Sequence, residues 1–216
     1  MALTGWRALV LAAGAGRRFG GAKLLAPIGG VPVIRRTVEP IATAGFDETI
    51  VVTGVLGSEI GRALDGLRCR LVNAADWHEG LAASIRAGVA ALPADGPGLF
   101  LFLGDMPLVP LGPCGELVRL ARQSGYAARP RVAGKPGHPV CFVADALPDL
   151  MALAGDRGAG DVLMGRPVAY LDTEDDGALL DIDDAEGLAA AERAWKSRAT
   201  SATTDNATSR GALPKP

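Results

Sequence analysis

Residues 8–25 constrain the chain more than any other stretch. Ala8 to Ala13 is an unbroken apolar run with the character of a parallel strand buried on both faces, and it stops at Gly14, Gly16, Gly20 and Gly21. Glycines let a loop take positive φ and let its N–H groups approach a ligand with no Cβ in the way. Arg17, Arg18 and Lys23 add three cations within seven positions. A buried strand that runs into bare backbone and clustered cations suits a polyphosphate.

Two phosphate-loop patterns nearly match. A Walker loop needs Gly-Lys-Ser/Thr, but Ala22 separates Gly21 from Lys23, and Leu24 stands where the Mg²⁺-binding hydroxyl belongs. The dinucleotide fingerprint begins at Gly14-x-Gly16, yet Phe19 occupies the third glycine's place. Pro27, Gly29, Gly30 and Pro32 keep the following chain irregular, so no helix opens there to hold the charge with its dipole. Arginine and lysine side chains must hold it instead.

The run Leu11-Ala-Ala-Gly-x-Gly-x-Arg-x-Gly-x-x-Lys23 resembles the signature of the nucleotidyltransferases that make molybdopterin dinucleotide cofactors, above all the molybdenum cofactor cytidylyltransferases. The resemblance extends over residues 6–195. It implies a single-domain, Rossmann-like α/β fold of the glycosyltransferase-A kind. It also implies Mg²⁺-dependent transfer of CMP from CTP to the phosphate of molybdopterin, giving molybdopterin cytosine dinucleotide and pyrophosphate. A molybdoenzyme or its maturation chaperone is the implied recipient of the product.

Composition bounds the rest. A length of 216 residues, 49% of them hydrophobic, suits one domain with a sizeable core. The formal net charge of -2 gives no global basic field, so neither nucleic acid nor an anionic membrane is expected as a partner. Cys69, Cys114 and Cys141 are odd in number and widely spaced, so a disulfide framework or a zinc site is not expected and buried thiols are. No leader pattern and no apolar run near the roughly 18 residues of a membrane span is evident, so a soluble cytoplasmic protein is expected.

Along the chain, strand and helix alternate. Helices are expected at 31–44, with Pro40 inside, and at 57–67, 79–92 and 112–124; strands at 49–53, 69–72 and 99–103. Short links between them argue for a mostly parallel central sheet flanked by helices. Residues 126–132 and 138–143 read as an antiparallel pair forming a small edge flap over the site. Short helices at 145–153 and 158–164, a strand at 168–171 and a terminal helix at 184–196 follow. From Ser197 to Pro216 the chain is mostly Ser, Thr, Ala, Gly and Pro, with one leucine and no aromatic, and a disordered tail is expected.

Asp105 is the foremost acidic candidate. It follows the apolar run Phe100-Leu-Phe-Leu, and ligands of open α/β sheets bind at the carboxyl ends of strands. Such a carboxylate suits Mg²⁺, which takes one or two carboxylates plus substrate phosphates and water; a plain turn cap before Pro107 is the other reading. Gly104-Asp-Met-Pro107 resembles the family's first metal-binding segment, which implies the ligand. For the second carboxylate, Asp181 and Asp183 share one face of an extended segment, and Asp183 also stands three before Glu186 at capping-box spacing. Cap and ligand stay open on the residues alone. The resemblance of Asp183-Asp-Ala-Glu-Gly-Leu188 to a second family segment implies Asp183 as metal ligand, although Ala185 and Gly187 depart from the family's proline and acid.

The remaining site residues are also implied by resemblance. Arg18 and Lys23 would hold the triphosphate. Ala12, Ala13, Gly14, Gly16 and Arg17 would line the nucleotide, with Ala13 narrowing the base pocket by one methyl where guanylyltransferase relatives carry glycine. Gly80 and Ser84, in the segment Asn73-Ala-Ala-Asp-Trp-His-Glu-Gly80, would border the pyrimidine, the serine hydroxyl being able to donate and accept. His138, in Gly137-His-Pro139, and Arg157, in Gly155-Asp-Arg-Gly158, would face the anionic acceptor; a strand-edge histidine with a satisfied ring is the alternative for His138. Other readings of the whole are a transferase for another phosphate or sugar-phosphate acceptor, a non-catalytic cofactor-delivery protein, and a nicotinamide-binding protein. The last lacks an acidic residue about 20 positions past the loop at a strand end.

Overall fold

The computed structural model describes residues 3–14, 16 and 19–209, with residue 199 and residues 201–209 described as backbone. The first strand, β1 (Arg7–Ala12), is followed by a two-strand hairpin, β2 (Pro27–Ile28) and β3 (Val31–Pro32), and by α1 (Val33–Thr43). Then come β4 (Glu48–Thr53), α2 (Gly57–Ala63), β5 (Arg70–Asn73), α3 (Leu81–Ala90), β6 (Gly98–Leu103) and α4 (Cys114–Ser124). The second half holds β7 (Ala127–Val132), β8 (Lys135–Pro136), β9 (Val140–Val143), α5 (Leu147–Met151), α6 (Ala159–Leu163), β10 (Val168–Asp172) and α7 (Ala185–Ser209).

The main sheet has the order β10-β7-β9-β6-β1-β4-β5, with β8 paired to β7. Its centre is parallel: β1 pairs β4 and β6, and β4 pairs β5. The α/β class expected from the alternation is what the structure shows. The two expected extended segments do pair antiparallel, Ala127 opposite Phe142 and Ala128 opposite Cys141. Their place differs from an edge flap, because β9 is inserted between β7 and β6 and continues the central sheet. Val140, Cys141 and Phe142 are fully buried, and that apolar run explains the inward position. A separate small antiparallel sheet is made by β2 and β3 around Gly29-Gly30. Pairing of Val31 and Pro32 with Ile28 and Pro27 is why α1 begins at Val33 and not at 31.

Side-chain alternation splits the core into two layers. Ala8, Val10 and Ala12 of β1, with Phe100 and Phe102 of β6, face α1, α2 and α4 through Ile34, Val38, Ile41, Ile60 and Leu117. Leu9, Leu11, Leu99 and Leu101 face α3, α5 and α6 through Ile85, Leu150 and Val162. Each fully buried aliphatic or aromatic side chain of this kind contributes about 1.5–3 kcal/mol. No helix among the described residues is long and apolar enough to cross a membrane.

The stretch expected as a tail begins inside the last helix. Helix α7 runs on to Ser209, and Arg198 donates to the carbonyl of Leu108 and pairs with Asp175. Ala, Ser and Thr bury little yet do not break a helix, and α7 is docked before this stretch at Trp195, where Arg36 stacks on the indole 4.2 Å away. Residues 210–216 of the expected tail lie outside the described residues.

Candidate active site

Strands β1, β4 and β6 run in register, Ala12 beside Thr53 and Leu11 beside Leu103, so their carboxyl ends make one rim. The glycine loop leaves that rim from β1, and the Gly104-Asp105 turn leaves it from β6. Between them lies a cavity of about 440 Å³ lined by Ala12, Ala13, Gly14, Gly16, Lys23, Ser84, Asp105, Asp181 and Asp183, with Leu11, Leu24, Leu81 and Leu103 as apolar wall. Ligand space at the carboxyl ends of parallel strands is where the fold dictates it.

The loop is tied to itself. The Gly16 carbonyl accepts from Phe19 N at 3.0 Å and Gly21 N at 3.2 Å, and Lys23 N donates to Gly21 O at 2.5 Å. A Cβ on Gly16, whose φ is +63°, would stand 2.6 Å from Gly21 O, so only glycine fits that crossing. Leu24 is buried beneath the loop and turns the neighbouring Lys23 toward the cavity.

Lys23 Nζ donates to Asp105 Oδ2 at 2.5 Å and lies 3.4 Å from Asp183 Oδ1. The Lys23 and Asp105 side chains are 15% and 17% exposed and that of Asp183 is 55%, so one carboxylate forms the floor and the other the solvent-facing lip. Three backbone contacts set the floor: Gly104 N donates to Leu11 O at 2.9 Å, Thr37 Oγ1 donates to Gly104 O at 3.0 Å, and Ile182 N donates to Asp105 O at 3.1 Å. The last contact also delivers the lip. Ile182 is fully buried, so its neighbours Asp181 and Asp183 are held outward on either side of it, as the two-residue spacing anticipates. The cap of α7 falls one residue on from Asp183: Asp184 Oδ1 accepts from Gly187 N at 2.8 Å. Asp181 has its carboxyl raised above the ordinary range by burial against the cavity wall, with the charges of Asp183 and Asp105 adding to the effect.

Asp105 and Asp183 converging on one cation are a hard-oxygen pair fit for Mg²⁺ or Mn²⁺. No group of three or more His, Cys, Asp or Glu placed to hold an ion occurs among the described residues. Two carboxylates leave most of an octahedral shell to phosphate and water, which is the usual arrangement for Mg²⁺ on a nucleotide.

A second hollow of about 300 Å³ adjoins the first and shares Ala13, Gly14, Gly16, Leu81 and Ser84 with it; Gly80 lines it as well. The sequence-expected residues Ala12, Ala13, Gly14, Gly16, Lys23, Gly80, Ser84, Asp105 and Asp183 are thus brought together around two connected spaces. Arg17 and Arg18 lie outside the described residues. His138 and Arg157 line neither space. By continuation of the β6–β9 register, His138 falls beside Leu103, but its Nδ1 is sealed from solvent and makes no hydrogen bond among the described residues. Burial, with the Arg129 charge, lowers its pKa to about 4, against a backbone hydrogen bond at Leu101, so the ring is neutral at pH 7. Arg157 is exposed and borders a different hollow with Asp149, Asp161 and Arg166. Sequence reasoning passed over Thr37, Trp77, Leu81 and Asp156. A threonine among Ile34, Val38 and Ile41 on an apolar helix stripe was the available signal for Thr37; Trp77 and Asp156 lie inside the segments 73–80 and 155–158, where the resemblance singled out their neighbours.

A family model described as the MobA-like NTP transferase domain matches residues 8–171. The chain is 30% identical over 191 residues to nicotine blue oxidoreductase of Paenarthrobacter nicotinovorans, a match covering 83% of this chain and 93% of that protein. With the bifunctional protein GlmU of Leifsonia xyli it shares 39% identity over 127 residues, 56% of this chain, and spans about a quarter, 26%, of that relative's length. Among solved structures, a nucleotidyl transferase from Methanothermobacter superposes with a TM-score of 0.76 at 28% identity, covering 89% of this chain and 98% of the other. Rv0371c of Mycobacterium tuberculosis in complex with manganese gives 0.65 at 27% identity, covering 78% and 88%. On the match over most of its length, together with the strand-end cavity and its two carboxylates, the chain belongs to the MobA-like NTP transferase family.

Proposed function

We propose that the protein transfers CMP from CTP to the phosphate of molybdopterin, giving molybdopterin cytosine dinucleotide and pyrophosphate. The observation that carries nucleotidyl transfer is Lys23 Nζ set against Asp105 and Asp183 below the glycine loop, a cation and two carboxylates at the mouth of one cavity. An acceptor phosphate oxygen attacks the α-phosphorus, the bond from that phosphorus to the bridging oxygen breaks, and pyrophosphate leaves with the electron pair. An acceptor that is already an anion needs no general base. Catalysis is then alignment and charge neutralisation.

Asp105 and Asp183 would hold Mg²⁺, which supplies positive charge to the triphosphate; the manganese complex of Rv0371c supports a divalent ion in this fold. Lys23, with Arg18 as its proposed companion, neutralises the leaving pyrophosphate. Ala13, buried yet lining both spaces, sets its methyl where a larger base would need room, which favours cytosine. The molybdopterin acceptor, a receiving molybdoenzyme or its chaperone, His138 and Arg157 as acceptor contacts and a cytoplasmic location follow from the family resemblance.

The test is incubation with molybdopterin, Mg²⁺ and each NTP in turn, with the dinucleotide read by mass spectrometry. A product of molybdopterin plus CMP, found with CTP and in far lower amount with GTP, is expected; no dinucleotide with any NTP overturns the reading. A parallel incubation with reduced nicotinamide nucleotide and an electron acceptor covers the oxidoreductase activity in the name of the Paenarthrobacter relative.

A further inference from the structure

The second hollow is walled by Ala13, Gly14, Trp77, Gly80, Ser84 and Asp156, and it continues directly from the cavity that holds Lys23 and Asp105. Its polar equipment is uneven. The Ser84 hydroxyl donates or accepts, and His78 does either according to its tautomer, whereas an ionised Asp156 carboxylate only accepts. Among the described residues Asp156 makes no hydrogen bond or ion pair.

The turn that carries this carboxylate is held in place. Gly80 has φ +118°, and a Cβ there would fall 2.5 Å from Asp156 Oδ1 and 2.5 Å from Gly155 O. The turn is therefore seated directly on the bare Cα that opens α3. Ala82 N donates to Gly155 O at 3.1 Å, and Gly158 lies on the Leu81 side chain, where a Cβ would be 2.8 Å from Leu81 Cδ2. Two contacts and a glycine thus lock the 155–158 turn to the first turn of α3, and Asp156, exposed on that turn, is presented to the hollow as an acceptor.

We infer that Asp156 selects nucleoside triphosphates whose base offers an amino donor and rejects uridine triphosphate. The inference rests on the nucleotidyl-transfer reading and concerns its base subsite. A cytosine 4-amino group gives the carboxylate a charge-assisted hydrogen bond, while the uracil O4 in the same place sets lone pairs against it. Guanine and adenine also carry amino donors, so this residue excludes uracil, and the size limit at Ala13 is a separate filter.

The experiment measures kcat/KM for CTP, GTP and UTP in the wild type, Asp156→Asn and Asp156→Glu, with equilibrium dissociation constants for the same nucleotides and melting temperatures alongside. The Asn amide can donate to O4, so the CTP to UTP ratio should fall roughly 10- to 100-fold, chiefly through better use of UTP, while Glu keeps the wild-type direction. A ratio unmoved in Asp156→Asn overturns the inference and leaves cytidylyl transfer standing. A wild type that prefers GTP defeats the cytidylyl reading, and the GTP to UTP ratio then judges Asp156 by the same criterion. If no turnover is found with any nucleotide, the dissociation constants decide: equal affinity for CTP and UTP in the wild type overturns the inference.

Discussion

The two halves of the molecule deliver their site residues in different ways. Up to Asp105, the cavity is lined from the carboxyl ends of parallel strands and the segments that follow them: Leu11, Ala12, the glycine loop and Lys23 from β1 onward, Gly80 and Ser84 at the start of α3, and Leu103 and Asp105 at the end of β6. Beyond Asp105 the sheet is mixed, and no strand end supplies a cavity residue. Asp183 arrives on an irregular segment pinned by Ile182 N to Asp105 O, with α7 capped behind it by Asp184. His138 and Arg157, from the same half, stay out of the cavity. Parallel strands in register place residues by a general rule, whereas the later half depends on particular tertiary contacts.

The contrast is sharpest at the two carboxylates. Asp105→Asn neutralises the half-buried floor carboxylate, the proposed metal ligand, and should lower kcat by on the order of 1000-fold with the melting temperature kept within a few degrees. Near wild-type turnover at ordinary Mg²⁺ would show that the parallel half does not supply the metal ligand. Asp183→Asn alters the exposed lip, 3.4 Å from Lys23, and a smaller loss of about 10- to 100-fold is expected, partly recovered by raising Mg²⁺. Equal losses for the two variants would erase the difference between floor and lip.

His138 tests the later half through pH. Its folded pKa of about 4 is below the ordinary 6.5, so the unfolded chain binds the extra proton first, and stability is lost as pH falls from 6.5 toward 4. On the order of 2 kcal/mol of the acid-side loss belongs to this residue, and His138→Gln should flatten that part of the profile measured by denaturant unfolding between pH 7 and 4. An unchanged profile would mean that the ring reaches water. The smallest effect is expected at Arg198→Ala, which removes the contacts to Leu108 O and Asp175 and should cost about 0.5–1 kcal/mol, or roughly 2 °C in melting temperature. A melting point unchanged within error, together with one unchanged on deletion from Ser197, would return the tail to the role its composition suggested.

Much of the first half was legible because its signals are local. A β-branched run such as 49–53 and an apolar run such as 99–103 state a buried strand outright, and a strand end carries its own site position. The antiparallel segments were also visible as a pair, yet the insertion of β9 between β7 and β6 was not, because pairing partners as far apart as Gly98 and Val143 are chosen by fit of the whole sheet. The helical continuation past Lys196 escaped for a similar reason: Arg198 is held by Asp175 and Leu108, two residues that nothing in the local sequence brings near.

By itself, the order of residues determined the parallel α/β class, the glycine loop with its cations, and Asp105 at a strand end, since periodicity and backbone permissiveness act over a few residues. Tertiary structure alone decided that Asp184 caps while Asp183 meets Lys23, that Asp156 rather than Arg157 lines the hollow beside Ala13 and Ser84, and that His138 has its Nδ1 sealed from water. Neighbouring residues in an irregular segment point in different directions, and only the contacts at Ile182 and Gly80 set which one enters the site.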